Sequence, residues 1–318
     1  MHAENEMKSC VVPRDRWIGD GIGPETPMDA RRRKVLGYKE DEMRRTGRIV
    51  WASFMGALLL GILVGSAEAK IDPATIAGMW LFDEGKGDIA ADASENGNDG
   101  TVIGGADWVK GKFGTAIELD GSGSEYVSVA DSDSLDMENE ITVMFWVRTD
   151  KVMKDMWADR QAVVGKHYLE YEVGIYMAGQ LHTYTSDGAG NYDEGIMASI
   201  AGKLPDGDAD WEKGKWYHVA WTLDGKNEVA YVNGVKIGEY DKPNEGTRPG
   251  DHPLEIGRRV EGGIPVMGAI DEVAVFRAVL DETDVQMAME RGLAAATGIT
   301  AVQPNGKLTT TWGWMKTR

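Results

Sequence analysis

A chain of 318 residues has room for one large domain or two small ones. Its net charge of −18 is concentrated after residue 69, where 23 Lys/Arg face 42 Asp/Glu, a balance near −19 that weighs against a nucleic-acid partner. The only cysteine, Cys10, leaves the rest of the chain without an intrachain disulfide or a Cys-ligated zinc site, so any domain there is stabilised by its own core.

Residues 1–42 show no apolar period, which suits a disordered extension or a mis-called start. Residues 43–69, "MRRTGRIVWASFMGALLLGILVGSAEA", have the basic, apolar and small-residue order of a secretory signal. Sixteen residues, 49–64, pass without a charge, between the ~7–15 of a signal's apolar region and the ~20 of a membrane helix. Two expectations follow. A start at Met43 gives a signal peptide cut after Ala69. A full-length chain gives a single transmembrane anchor, its N-terminus held inside by Arg31, Arg32, Arg33 and Lys34. Both put the remainder outside: secreted, or at the cell surface or envelope.

From residue 70 to 298 strand signals dominate. "EITVMFWVRT" (140–149) alternates with period two and is apolar on both sets, as a central strand is. "WYHVAWTLDGKNEVAYVNGVKIGEY" (216–240) reads as three strands joined at Asp224-Gly225 and Asn233-Gly234, dipeptides that tolerate the positive φ of hairpin turns. "VMGAIDEVAVFRAV" (266–279) is a further long strand. One short helix follows: Asp281 caps it, Val285, Ala288 and Met289 share a face, and Gly292 ends it. Residues 299–318, polar with two tryptophans, read as a last strand or a loose tail. The fold class is therefore all-β, a two-sheet antiparallel sandwich with one short C-terminal helix.

Four stretches, 80–102, 113–149, 216–240 and 268–286, together resemble the laminin G-like jelly-roll domains of the concanavalin A-like lectin/glucanase superfamily, in that family's order. The resemblance implies a jelly roll of two curved sheets, usually used for binding. Glucanases of this superfamily carry Glu-x-Asp-x-Glu or a close variant, and this chain has none. Its nearest approach, Glu170 and Glu172 in "LEYEVG", lacks a third acid and reads more simply as an exposed strand edge. His218 in "WYHVAW" reads as a framework histidine. No catalytic residue is assigned, and the expected role is a non-catalytic recognition module for a glycan or an extracellular protein. The alternatives are a carbohydrate-active enzyme with a divergent site and a structural cell-envelope domain.

Related jelly rolls often hold calcium at the sandwich rim, and calcium takes six to eight hard oxygens. The residues that would supply them here are Asp83, Glu84, Asp120 and Asp271, with Asp271 the best single ligand. The plainer reading makes Asp83 and Asp120 turn residues and Asp271 a locally paired strand residue. For the ligand, the loop "YTSDGAGNYDEG" (184–195) is long, polar and aromatic-edged. Trp157, Tyr184, Asp187, Asn191 and Tyr192 are the expected contacts, taken to lie in loops. Tyr171, Val173, Ile175 and Met177 alternate as core residues do.

Overall fold

The computed structural model describes residues 71–299 except 156, 187–189 and 244–245. The 1–42 extension, the signal or anchor segment 43–69 and nearly all of the 299–318 tail lie outside the described residues. Among those described, no helix is long and apolar enough to cross a membrane.

In chain order the strands are β1 (Ile76–Trp80), β2 (Ile89–Ala90), β3 (Gly100–Ile103), β4 (Asp107–Lys110), β5 (Thr115–Asp120) and β6 (Tyr126–Val129). Then come β7 (Glu140–Thr149), β8 (Gln161–His167), β9 (Tyr171–Tyr176), β10 (Gln180–Ser186) and β11 (Tyr192–Ser199). The last are β12 (Trp216–Asp224), β13 (Asn227–Val232), β14 (Val235–Asp241), β15 (Leu254–Ile256) and β16 (Met267–Phe276), followed by helices α1 (Glu282–Arg291) and α2 (Leu293–Thr297).

They form two antiparallel sheets. The first runs β14-β13-β12-β7-β16-β5-β4, with β1 also paired to β16; the second runs β11-β10-β9-β8-β15-β6-β3-β2. As the doubly apolar pattern of 140–149 predicts, β7 is central, flanked by β12 and β16. Its two faces serve two clusters. Ile141, Val143, Phe145 and Val147 enter the core between the sheets, while Met144 points to the opposite side. The three strands read in 216–240 are present. Val232 pairs with Val235 across Asn233 (φ 49°) and Gly234 (φ 73°), and two successive positive φ values are what a two-residue type I′ hairpin turn requires.

The inter-sheet core contains Trp80, Trp221, Tyr171 and Tyr217, all fully buried, and each large side chain removed from water contributes roughly 1.5–3 kcal/mol. Tyr171, Val173 and Ile175 lie in that core as their alternation predicts. A second cluster covers the outer face of the first sheet: Met79, Leu81, Met144, Ala220, Ala274 and Phe276 pack against Val285, Ala288, Leu293 and Ala296 of the helices. Asp281 caps α1 by accepting from Asp284 N–H (2.9 Å), and Gly292 ends it, as the sequence indicates. The second, five-residue helix directly after Gly292 is a feature the sequence reading lacked. The chain enters this covered side as well, where Ile71 N–H donates to Ala296 O (3.2 Å).

Candidate functional site

No helix of the apolar cluster packs on the second sheet's outer face, and its composition is different. On β9, Tyr171, Val173 and Ile175 point into the core, which turns Glu172 and Tyr176 outward. On β10, Leu181 points inward and His182 and Tyr184 outward. A three-residue hairpin, with Ala178 at φ 58° and Gly179 at φ 64°, sets the register that pairs Tyr184 with Glu172 on one side. On its other side Tyr184 pairs with Glu194 of β11.

These side chains form one connected network. His182 stacks on Tyr176 with centroids 3.8 Å apart and planes 12° from parallel. The Tyr176 and Tyr184 hydroxyls share a hydrogen bond of 2.7 Å. The Arg259 guanidinium lies 5.0 Å from the Tyr184 ring and 5.4 Å from the Tyr168 ring, and its Nε and Nη2 both donate to the Glu172 carboxylate. Arg160 lies 5.3 Å from the ring of Trp157, which is 62% exposed. Burial, and then the nearby Arg160 charge, push His182 down to about 4, so it is neutral at physiological pH. Burial likewise raises the Tyr176 and Tyr184 hydroxyls. Among the described residues, three buried polar atoms of this patch lack a hydrogen-bond partner: His182 Nε2, Arg160 Nε and Glu194 Oε1. An unpartnered buried donor or acceptor costs ~1–3 kcal/mol, so a ligand or water that pairs with these atoms is favoured.

Of the ligand residues expected from sequence, Tyr184 lies beside His182 on this patch, and Trp157 lies against Arg160, whose charge acts on His182. Tyr184 is not in a loop: it lies in β10, fully buried beside Arg259. Tyr192 opens β11 and pairs with Ser186; Asn191 is exposed in the turn before it. Asp187 is outside the described residues. The sequence reading missed Arg160, His182 and Arg259, although the period of two that places Tyr176 on one face with Glu172 was available to it.

Glu170 and Glu172 also correct an expectation. They are not an exposed edge, because β9 lies between β8 and β10 and both side chains are buried. Each is paired: Glu170 with Lys166 (3.3 Å) and His252 (2.5 Å), and Glu172 with Arg259. His218 is the framework residue expected, packed edge-on to Trp146 at 5.2 Å, with burial pushing it down to about 3.

The four carboxylates considered for calcium do not converge. Asp271 is fully buried, and its Oδ2 accepts from Lys112 N–H (2.8 Å) and Phe113 N–H (3.0 Å), while Oδ1 has no partner. A Cβ on Gly111 would lie 2.5 Å from that Oδ2, so only glycine lets the loop approach this closely. Asp83 Oδ1 accepts from Thr115 N–H (3.1 Å) at the other end of the same loop. Glu84 Oε1 accepts from Ala91 N–H (2.9 Å), and burial raises its carboxyl. Exposed Asp120 turns onto Ser122 N–H (2.7 Å) and pairs with Met267, four residues and about 13 Å along β16 from Asp271. Asp83 and Asp271 are thus acceptors clamping loop 111–115, and the set as placed does not form the six-oxygen cage that calcium takes.

A family model of the concanavalin A-like lectin/glucanases superfamily, of laminin G type, matches residues 120–286, just over half of the chain. No curated protein matches. Solved structures share the fold at low identity. The binding domain of Paraclostridial Mosquitocidal Protein 1 is 18% identical at a TM-score of 0.55 over 68% of this chain and 52% of its own. The binding domain of botulinum neurotoxin DC, solved with rat synaptotagmin II, is 16% identical at 0.52 over 69% and 52%. Domain 4 of AbnA, an extracellular GH43 arabinanase from Geobacillus stearothermophilus solved with arabinotriose, is 18% identical at 0.50 over 69% and 98%. The chain thus spans about half the length of the two toxin domains and nearly all of the arabinanase domain. With two antiparallel sheets, a helix-covered outer face and a matching family model, the chain belongs to the concanavalin A-like lectin/glucanase superfamily.

Proposed function

We propose that residues 71–299 act as an exported, non-catalytic recognition module that holds a glycan or an extracellular protein on the outer face of the second sheet. The observation that carries this reading is the patch around Trp157, Arg160, His182 and Arg259. An exposed indole lies against the Arg160 cation, whose charge acts on a buried histidine with no partner for its Nε2 among the described residues. A flat aromatic surface beside fixed polar groups suits a sugar ring, whose CH face stacks while its hydroxyls are hydrogen-bonded. The fold neighbours support the class of function, since they include a toxin binding domain solved with a protein and an arabinanase domain solved with a sugar.

The full chain applied to a glycan array and to intact cells is expected to bind saturably. Trp157→Ala is expected to weaken binding at least tenfold while changing stability by less than ~0.5 kcal/mol, because the indole is largely exposed. Absence of saturable binding on both, or binding indifferent to Trp157→Ala, would remove this reading. Export predicts Lys70 as the first residue of the mature protein by N-terminal sequencing; an intact N-terminus on membranes identifies the anchor instead.

One observation favours a hydrolase as the second reading. Glu172 and Glu194 flank Tyr184 on adjacent strands of one face, a backbone separation of about 10 Å, near the upper end of the carboxyl spacing used by inverting glycosidases. Against it, Glu172 is bound bidentately by Arg259 and so is not poised as a proton donor. Reducing-sugar release from a polysaccharide panel, abolished by Glu194→Gln, would decide for the enzyme.

A further inference from the structure

A separate cluster lies where β8 ends and the segment before β15 passes over it. Among the described residues, one group of three or more His, Cys, Asp or Glu side chains has its donor atoms all within 4.8 Å of one another: His167, His252 and Glu261. We propose that these three form a transition-metal site of the zinc class, different in its donors from the calcium expectation and bordering the recognition patch through Tyr168, which His167 packs against and Arg259 contacts.

The donor set is right for such a metal. Two imidazoles and one carboxylate are the ligand types of open zinc sites and do not suit calcium, which takes oxygen alone. The His167 and His252 rings are stacked, with centroids 4.1 Å apart and planes 7° from parallel, and one nitrogen of each lies within 4.8 Å of the other and of a Glu261 carboxylate oxygen. Tetrahedral zinc places two nitrogen ligands about 3.3 Å apart, and the metal would draw the two rings out of their parallel stack so that both planes meet at the ion.

The support behind the ligands is also present. His252 Nδ1 lies 2.5 Å from Oε1 of buried Glu170, a bond that occupies Nδ1 and leaves Nε2 as the nitrogen open to a metal. A carboxylate behind a histidine is the usual means of orienting a metal ligand. The other Glu170 oxygen faces the Lys166 ammonium at 3.3 Å, which also holds Asp131 and Asp136, so this carboxylate is fixed in place. His167 Nδ1 accepts from Leu169 N–H (3.1 Å), a single turn hydrogen bond that coordination through that nitrogen would displace.

Glu261 is brought to the cluster by the tight turn in which Arg259 N–H donates to Gly263 O (2.8 Å), with Glu261 itself at φ 73°. The nearby Arg259 charge is already neutralised by Glu172. Beside the two histidines a cavity of about 460 Å³, lined by His167, Leu169, Glu170, Arg248, Pro249 and His252, leaves room for a water or an exogenous donor as fourth ligand. Three protein ligands and one open position are the pattern of metal sites that bind or activate a small molecule.

The test is isothermal titration of the full chain, purified without a histidine tag, with zinc chloride, alongside the absorption spectrum of the cobalt-loaded protein. One zinc per chain and the intense visible bands of tetrahedral cobalt are expected. His252→Ala and Glu261→Gln should each weaken zinc binding at least tenfold, and Glu170→Gln should weaken it less. Melting of Glu261→Gln in EDTA should match the parent, because Glu261 is exposed, whereas His252→Ala and Glu170→Gln each disturb the ion pairs of buried Glu170 and are compared with the parent at equal folded fraction. Zinc binding below one per chain, or binding unchanged in the His252→Ala/Glu261→Gln double variant, would overturn the site and reduce it to non-specific attraction by an acidic surface.

Discussion

Replacing Glu228 by alanine is expected to lower the unfolding free energy by ~3–5 kcal/mol, read as a reduced midpoint in chemical denaturation at unchanged slope. Glu228 projects from β13 into the core between the sheets and is fully buried. Its Oε2 accepts from the Thr183 hydroxyl (2.6 Å), from Trp221 Nε1 (2.9 Å) and, more distantly, from Ile196 N–H (3.4 Å). Thr183 in turn accepts from Ile196 N–H (2.7 Å), so one carboxylate joins β10, β11, β12 and β13. Alanine would strand the Trp221 and Thr183 donors in the core and leave a cavity. It would also remove the negative charge that the buried Lys242 ammonium feels. Burial is the largest influence on Glu228 and raises its carboxyl, so Glu228→Gln, which keeps one acceptor and the shape, should cost far less than alanine. A loss under ~1 kcal/mol for alanine would mean that the network is not closed as described.

Asp271 gives the second large effect, and its signature is in pH. Asp271→Ala removes the acceptor of two amides in loop 111–115 and is expected to cost ~2–4 kcal/mol. Asp271→Asn keeps an oxygen for both amides and should cost much less. Burial, with Glu272 adding repulsion, raises the Asp271 carboxyl from 3.8 to about 8, and burial raises Glu272 from 4.5 to about 7. A carboxyl whose folded value exceeds its unfolded value stabilises the fold fully below the unfolded value, and that contribution is lost as pH rises through the folded one. Each group therefore makes the parent protein less stable between about pH 4 and pH 7–8, by at most ~1.4 kcal/mol per pH unit. Asp271→Asn should gain on the parent across this window in thermal melts. Parallel pH profiles for the two proteins would contradict the assignment, and EGTA is expected to leave the parent's melting temperature unchanged.

Much of the first sheet was legible in the sequence because its signals are local. The two-face pattern of 140–149, the Asx-Gly turns of 216–240 and the Asp281 cap each depend on residues a few positions apart, and each is realised in the structure. The candidate patch was only half legible. Trp157 was recognised by its aromatic, loop-like setting, but its partners are distant in sequence: Arg259 meets Tyr168 and Glu172 across some ninety residues, through the pairing of β15 with β8. The bulge in β16 was also beyond a pattern of strict alternation. The register slips between Asp271 and Ala274, and Glu272 adopts φ 51°, so adjacent acids reach loop 111–115 and the start of α2. Histidines 167 and 252 carry no spacing signal at all, since only the fold stacks them.

The helix-covered side of the first sheet also holds both ends of the described segment. Ile71 is buried in that apolar cluster, and Ile299 packs against it, so both ends of the described segment emerge on one side of the sandwich. The patch of Trp157 and Arg259 belongs to the opposite sheet. The described segment therefore begins and ends on the side of the sandwich away from the Trp157 and Arg259 patch, so that neither residue 71 nor residue 299 borders it.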